Sequence, residues 1–433
     1  MIKQLSVTKL SALSLQLSRW MALFCAYGIA WSNACFNIGF YLMMIFFALT
    51  LVFETIETRQ AFWLQSQWKI TLKTPAVIIA LSLFTLISIE TILTNSNSDL
   101  AQYDFIHYRK LLAIPVFIYL FDSEEHQKQL LISYCLGAAT LMLPTLLDGF
   151  GIADFFHLNL TPRRNAAYSP SMNGVHNLVY WRNQIIHGFN ISVLFSVALL
   201  GSIYSKKYRW VLMALCALCM TDLLFFIYGR MALISLIVAL VVVALQSLPS
   251  KKHIVLFLTA LSLAAGIAYV KLPSINTRVN AATHEASAFE NNNNITTSGG
   301  QRLHYWQVSW QLFKQSPVIG NGSGSFRQQL VSSDDPLAPL GHRHTHNEYL
   351  TQLAQYGLIG FGLLIALIYI TIKNARHIEN RWLSSSICTA VIIFATNALT
   401  DSSLHNNWEG WAFVLFIAIA AIKTTQTQKL SRA

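Results

Sequence analysis

The stretch GHRHTHNEY at 341–349 alternates His342, His344 and His346 with Arg343 and Thr345. Imidazole is the side chain whose ordinary titration lies near neutral pH, so a histidine fixed at a helix start is a candidate general base. Thr345 and Glu348 stand at capping-box spacing, with Thr345 as N-cap and Glu348 at N3. That register places His346 in the first turn of a helix, where the macrodipole disfavours the imidazolium and leaves the neutral base. An interfacial histidine with no role is the plain alternative, and residue chemistry alone leaves both open.

Three arginines offer the complementary chemistry. Arg230 follows Tyr228 and Gly229 ahead of an apolar run, Arg302 opens the segment QRLHYWQVSWQLFKQSP (301–317), and Arg182 follows Trp181 before another apolar run. Arginine forms bidentate pairs with phosphate oxygens, so their convergence would hold a diphosphate; snorkelling at the membrane boundary is the alternative. Asp401, in TDSSLHNNWEG (400–410), could orient a histidine or bind a sugar hydroxyl, or be an ordinary loop residue. Gly320, Gly322 and Gly324 alternate in VIGNGSGSF (318–326) and read as a flexible turn or as a nest of N–H groups for a phosphate or sugar. Asp104, His107, Arg109 and Lys110 cluster further upstream, where they could pair with one another or face lipid headgroups. The outer loops are read as lacking an acidic pair or DxD cluster, so no metal and no cofactor is expected.

These residues must be positioned by membrane helices. Of 433 residues 54% are hydrophobic and 11% charged, with mean hydropathy +0.46, far from the roughly 25% charge of soluble domains. Apolar runs near helix-spanning length point to an all-α polytopic membrane protein with about twelve spans. They fall at 15–33, 36–53, 75–94, 108–122 (broken by Pro115), 128–147, 184–204, 208–224, 228–248, 253–271, 347–372, 383–400 and 409–424. The net charge of +11 does not indicate nucleic acid, because the basic residues are scattered among loops. Arg59, Lys69 and Lys73, Lys128, Lys206 to Arg209, Lys251 and Lys252, and Lys373 to Arg381 mark one face as cytoplasmic, with both termini. Segments 148–183 and 272–346 then lie outside. The domains expected are a transmembrane region 1–271, an outer loop 272–346 and a transmembrane region 347–433. Within the loop, 291–300 (NNNNITTSGG) reads as low-complexity and mobile. Residues 301–317 read as an amphipathic helix flat on the membrane, with Leu303, Trp306, Trp310 and Phe313 on its apolar face. Gly357 and Gly360 read as small residues that let another helix approach closely. Cys216 and Cys219 sit inside a span and read as packing. The basic N-terminus is followed by no convincing cleavage site, so no cleaved leader is expected.

The constellation resembles the O-antigen ligase family and its Wzy-like relatives, specifically over about 221–362. His346, Asn347, nine residues, Gly357, two residues and Gly360 reproduce the family motif. Arg230 and Arg302 match its two outer arginines, and Asp401 matches its later acidic residue less securely. The resemblance implies a GT-C-like membrane glycosyltransferase of the bacterial inner membrane with a periplasm-facing site. The donor would be an undecaprenyl-diphosphate-linked glycan and the acceptor a sugar hydroxyl of lipid A–core. His346, Arg230 and Arg302 would be catalytic; Arg182, Asn347, Tyr349 and Asp401 would bind substrate. No nucleotide sugar, nucleic acid or required metal is implied. The neighbouring readings are an O-oligosaccharyltransferase acting on a pilin, whose chains often continue further past the last span, and a glycan polymerase. A multi-helix transporter is the reading from another class, and it would place ionisable residues mid-membrane.

Overall fold

The computed structural model describes residues 7–61, 66–93, 98–156, 183–227 and 229–430. Arg182, with Trp181 and most of the 148–183 segment, lies outside the described residues. Within them the chain is all-α, as its composition requires, and no strand is present.

Helices α1 (Val7–Trp31) and α2 (Asn33–Thr58) form a hairpin. A Cβ on Gly28 would fall 2.4 Å from the Phe36 backbone N, and one on Gly39 2.6 Å from that of Cys25, so the two backbones touch where side chains are missing. α3 (Ser66–Leu72), α4 (Pro75–Leu93) and α5 (Ser98–Tyr108) follow. A 3-10 turn over Arg109–Ala113 then leads into α6 (Ile114–Leu120). The expected fourth span is thus broken before Pro115, which stands in the first turn of α6, where its missing N–H costs nothing. α7 (Glu124–Gly149), α8 (Ile152–Phe155), α9 (Gln184–Tyr204) and α10 (Arg209–Thr221) come next, and α10 ends in a π turn at Asp222–Phe226. α11 (Arg230–Ser247), α12 (Lys251–Lys271), α13 (Pro273–Asn292), α14 (Ser298–Gln315), α15 (Ser325–Ser332), α16 (Glu348–Ala375), α17 (Arg381–Asn397) and α18 (Asn407–Leu430) complete the order.

Each of the segments read as a span is helical. Among the described residues, eight helices are long and apolar enough to cross a membrane: α2, α4, α7, α9, α10 with its π turn, α11, α12 and α16. Of the other segments, α1 buries Ser11, Ser14 and Ser18, α6 has 7 residues and α17 has 17, and α18 carries the apolar stretch Asn407–Ala421. α9, α17 and α18 form the centre of the bundle, whereas α12 contributes no buried residue. Cys216 and Cys219 are buried, with the Cys216 Sγ 3.8 Å from the Phe195 carbonyl O, so they pack.

The loop 272–346 departs most from expectation. It opens with the twenty-residue α13, and Pro273 stands in that helix's first turn. NNNNITTSGG is a turn: Asn293 adopts left-handed φ 50°, and Thr297 caps α14 by accepting the Gly300 N–H. α14 packs against α16 through Tyr305, Val308, Ser309 and Leu312, not through the face of Leu303, Trp306, Trp310 and Phe313. The face of Leu303, Trp306, Trp310 and Phe313 stays outside that contact, and Trp310 is exposed.

Candidate active site

The start of α16 sets the position of His346. The N-cap is Asn347, whose side-chain O accepts the Leu350 N–H at 3.0 Å. Thr345 is not the N-cap. Its hydroxyl accepts the Asn347 N–H at 3.1 Å and lies 2.9 Å from the Thr351 hydroxyl. His346 therefore precedes the helix instead of lying in its first turn, with φ 53° in the left-handed region. A histidine held at positive φ is uncommon and needs surroundings that fix it.

Those surroundings come from the 398–406 segment. The Glu348 N–H donates to the carbonyls of Ala398 (2.8 Å) and Asp401 (3.2 Å). The fully buried Glu348 carboxylate accepts from the Tyr108 hydroxyl (2.8 Å), the Gln352 amide (2.9 Å) and the N–H groups of Leu404 (3.1 Å) and His405 (3.0 Å). Lys110 donates to the carbonyls of Leu404 (2.9 Å) and Asn406 (2.6 Å). Asp104 sets Oδ1 3.0 Å from His405 Nε2 while its Oδ2 accepts the Gly324 N–H at 2.8 Å. Of the upstream cluster, Asp104 and Lys110 thus turn inward and tie α5 to the loop that carries Asp401. Glu348 takes this role, not the N3 position of a capping box. Replacing Glu348 with Ala strands four donors in a buried site, and we expect a stability loss of about 3–5 kcal/mol, seen as a lower unfolding temperature in detergent. An unchanged melting curve would show that the carboxylate is dispensable.

The glycine run is neither flexible nor a free nest. Gly320, Gly322 and Gly324 all have positive φ, and their N–H groups go to Ser316 O, Gln355 O and the Asp104 carboxylate. The turn fills a break in α16 at Gly357, whose φ 60° and ψ −159° are not helical. Leu358 N donates to Pro317 O and Ile359 N to Val318 O, while Asn321 N and Gly322 N donate to Ala354 O and Gln355 O. Two N–H groups and two carbonyls beside the break are taken up this way, as buried amides require. A Cβ on Gly357 would meet Val318 O at 2.3 Å. Gly357 thus admits a turn of the same chain, and not another helix.

At this fixed point the imidazole of His346 sets Nδ1 3.4 Å from Oδ1 of the buried Asp401. Burial alone would raise the Asp401 carboxyl; His346, His344 and Arg302 outweigh it and hold the group at about 2. Asp401 is therefore an anion throughout the working pH range. His344 and His342 lie with ring centroids 4.5 and 5.1 Å from His346, and Tyr305 of α14 stacks on it at 6.2 Å and 18°. Burial, reinforced by His346, pushes His344 well below the ordinary imidazole range. Arg302, one turn before Tyr305, is near enough to Asp401 and to Arg230 for each to act on its charge. Arg230, at the start of α11, pairs with Glu285 at 2.9 Å.

The structure therefore brings together His346, Asp401, Arg302 and Arg230 from four separate segments. Two expected contributors have other work: Asn347 caps α16, and the Tyr349 hydroxyl donates to Ala395 O at 2.7 Å. Four residues had no role from sequence: His342 and His344, which alternation in the chain alone could have flagged, and Glu285 and His405, which gave no local signal. The reading of the outer loops also passed over Asp334–Asp335. Asp335 lies 2.7 Å from His304 Nε2 and accepts the Leu337 N–H, which makes it a structural carboxylate. Ligand atoms of His344, His346 and Asp401 lie within 4.8 Å of one another, a spacing a cation could accept. The Arg302 charge beside Asp401 opposes a second cation there.

Residues 212–365 match the O-antigen ligase family. This part of the chain is similar to an O-antigen ligase domain. It holds Arg230, Arg302, His346 and Gly357, while Asp401 lies beyond it. The chain is also similar to an uncharacterized protein of Haemophilus influenzae, 29% identical over 117 residues. That match covers 25% of this chain and 29% of the relative, so the chain spans under a third of the relative it matches. The matched region thus contains His346 and both arginines, and Asp401 comes from the segment before the last helix.

Proposed function

We propose that the protein is a membrane glycosyltransferase of the O-antigen ligase type. It moves a glycan from undecaprenyl diphosphate to a sugar hydroxyl of lipid A–core, on the outer face of the bacterial inner membrane. The observation that carries this reading is the buried, ionised Asp401 facing His346 Nδ1, with Arg302 and Arg230 alongside. With the Nδ1 proton toward Asp401, Nε2 is left as the base. It takes the acceptor hydroxyl proton as that oxygen attacks the anomeric carbon. The bond from that carbon to the diphosphate oxygen breaks on the opposite side, giving inversion, and the two guanidinium groups stabilise the departing charge.

Among the described residues no ionisable pair stands at mid-helix in a way that would favour transport. The buried pair His187–Asp222, at 2.9 Å, lies in the first turn of α9 and just past the end of α10.

The test is purified protein in a bilayer with a lipid-diphosphate glycan and two acceptors, core lipid and pilin. Transfer to core lipid is expected, with activity retained after chelation. Arg230→Lys should lower turnover by about 10²-fold or more, because a point charge does not replace a bidentate fork. Transfer to pilin alone would make the protein an O-oligosaccharyltransferase, and normal turnover by Arg230→Lys would reduce that arginine to a boundary residue.

A further inference from the structure

Arg230 is not waiting with an open guanidinium. Glu285 of α13 places Oε2 2.9 Å from its Nη2, and the same oxygen accepts the Gly299 N–H at 2.7 Å. The Arg230 and Glu285 side chains are 29% and 17% exposed, so the pair is partly accessible and not sealed in the core. Gly299 belongs to the first turn of α14, and Arg302, three residues on, feels the charges of both Glu285 and Arg230. The fit is close: a Cβ on Gly299 would fall 2.5 Å from that carboxylate oxygen. One carboxylate thus sits where Arg230 would receive an oxyanion and, through Gly299, fixes the helix that carries Arg302.

We propose that Glu285 is a selectivity filter for the arginine pair: a resident anion that a diphosphate displaces and a phosphodiester does not. The inference rests on the reading of the two arginines as a diphosphate site. Phospholipids of the surrounding membrane present phosphodiesters with a single negative charge, in great excess over any diphosphate lipid. Exchanging one monoanion for another gains no net Coulomb attraction and gives up the Gly299 hydrogen bond. A diphosphate brings at least one further charge and enough oxygens to engage both guanidinium groups, so it wins the exchange. Selectivity then comes from a built-in competitor against the abundant wrong ligand, and tighter contacts to the right one are not needed. When Glu285 leaves Arg230, it also releases its hold on α14, so donor entry and the placement of Arg302 are one event.

The experiment uses the full chain in nanodiscs of phosphatidylcholine, whose trimethylammonium group neutralises its own phosphodiester, with or without phosphatidylglycerol, whose phosphodiester has no such counter-charge, and farnesyl diphosphate as the probe. Wild-type protein should bind the probe with an affinity that phosphatidylglycerol changes by less than about twofold. Glu285→Gln should bind it about three- to tenfold more tightly in phosphatidylcholine alone, because the competing state is gone. The same variant should lose about tenfold when phosphatidylglycerol is present, because monoanions now occupy the arginines. Should Glu285→Gln fail to fold, Glu285→Asp, which keeps the charge and draws it back by one methylene, should show the same pattern at smaller amplitude. Equal sensitivity to phosphatidylglycerol in variant and wild type overturns the filter. Absence of probe binding in wild type, or binding unchanged by the double change Arg230→Ala and Arg302→Ala, overturns the diphosphate reading itself.

Discussion

His346→Ala should lower glycan transfer by about 10²–10⁴-fold, the range contributed by a positioned general base, while the protein still folds and inserts. The side chain is one-fifth exposed and caps nothing, since Asn347 is the N-cap, so its removal leaves the helix start intact. Asp401→Asn tests the other half of the pair. An amide in that place can hold the wrong imidazole tautomer, and a loss on the order of 10²–10⁴-fold is expected. Asp401 adds no limb to the pH dependence of turnover, because its carboxyl is held at about 2. Its folded-state value is below the ordinary carboxylate value, so its contribution to stability is present above that ordinary value. That contribution is lost only as the pH falls toward about 2. Steady-state transfer measured across pH for wild type and both variants checks this. Normal turnover in His346→Ala would remove the base from the mechanism.

Gly357→Ala should cost more than about 3 kcal/mol of stability and abolish transfer. Two effects add. A backbone at φ 60° and ψ −159° lies where only glycine rests easily, worth about 1–3 kcal/mol by itself. The new Cβ would also press against the backbone of Val318 at 2.3 Å and of Gly320 at 2.7 Å, and a turn locked by hydrogen bonds to α16 on both sides cannot move aside cheaply. If the turn is expelled, the N–H groups of Leu358 and Ile359 lose their acceptors, and the Gly324 N–H leaves Asp104, the partner of His405. Damage at Gly357 therefore reaches the loop that carries Asp401. Gly362→Ala in the same helix is the control: nothing lies within 4 Å of its Cβ position, and little change or a slight gain is expected. Thermal unfolding in detergent, paired with the transfer assay, reads both variants. A Gly357→Ala protein that melts and works like wild type would mean the turn is not fastened as described.

Much of this molecule is decided locally and is legible in its sequence. Runs of about twenty apolar residues become helices in a membrane whatever their neighbours, because each must satisfy its own backbone. Each expected span is helical for that reason. His346, Arg230 and Arg302 could be singled out because their chemistry and their place at helix ends need no knowledge of the partner. What sequence could not supply is whatever depends on which segments meet. Asn347 took the cap from Thr345 because the capping amide reached Leu350, leaving Thr345 to bond Asn347 and Thr351. The face of α14 that packs on α16 is a second one, which the periodicity of Leu303, Trp306, Trp310 and Phe313 does not announce. Gly357 reads as a helix-packing residue, yet it admits a turn some forty residues earlier in the chain. Glu285 and His405 carry no local signal; each is defined by a partner between 14 and 301 positions away. The groups able to do chemistry were set by the sequence one residue at a time. Only the tertiary structure decided which acid faces which base and which carboxylate guards which arginine, because those pairings are made by long-range contacts that no single segment contains.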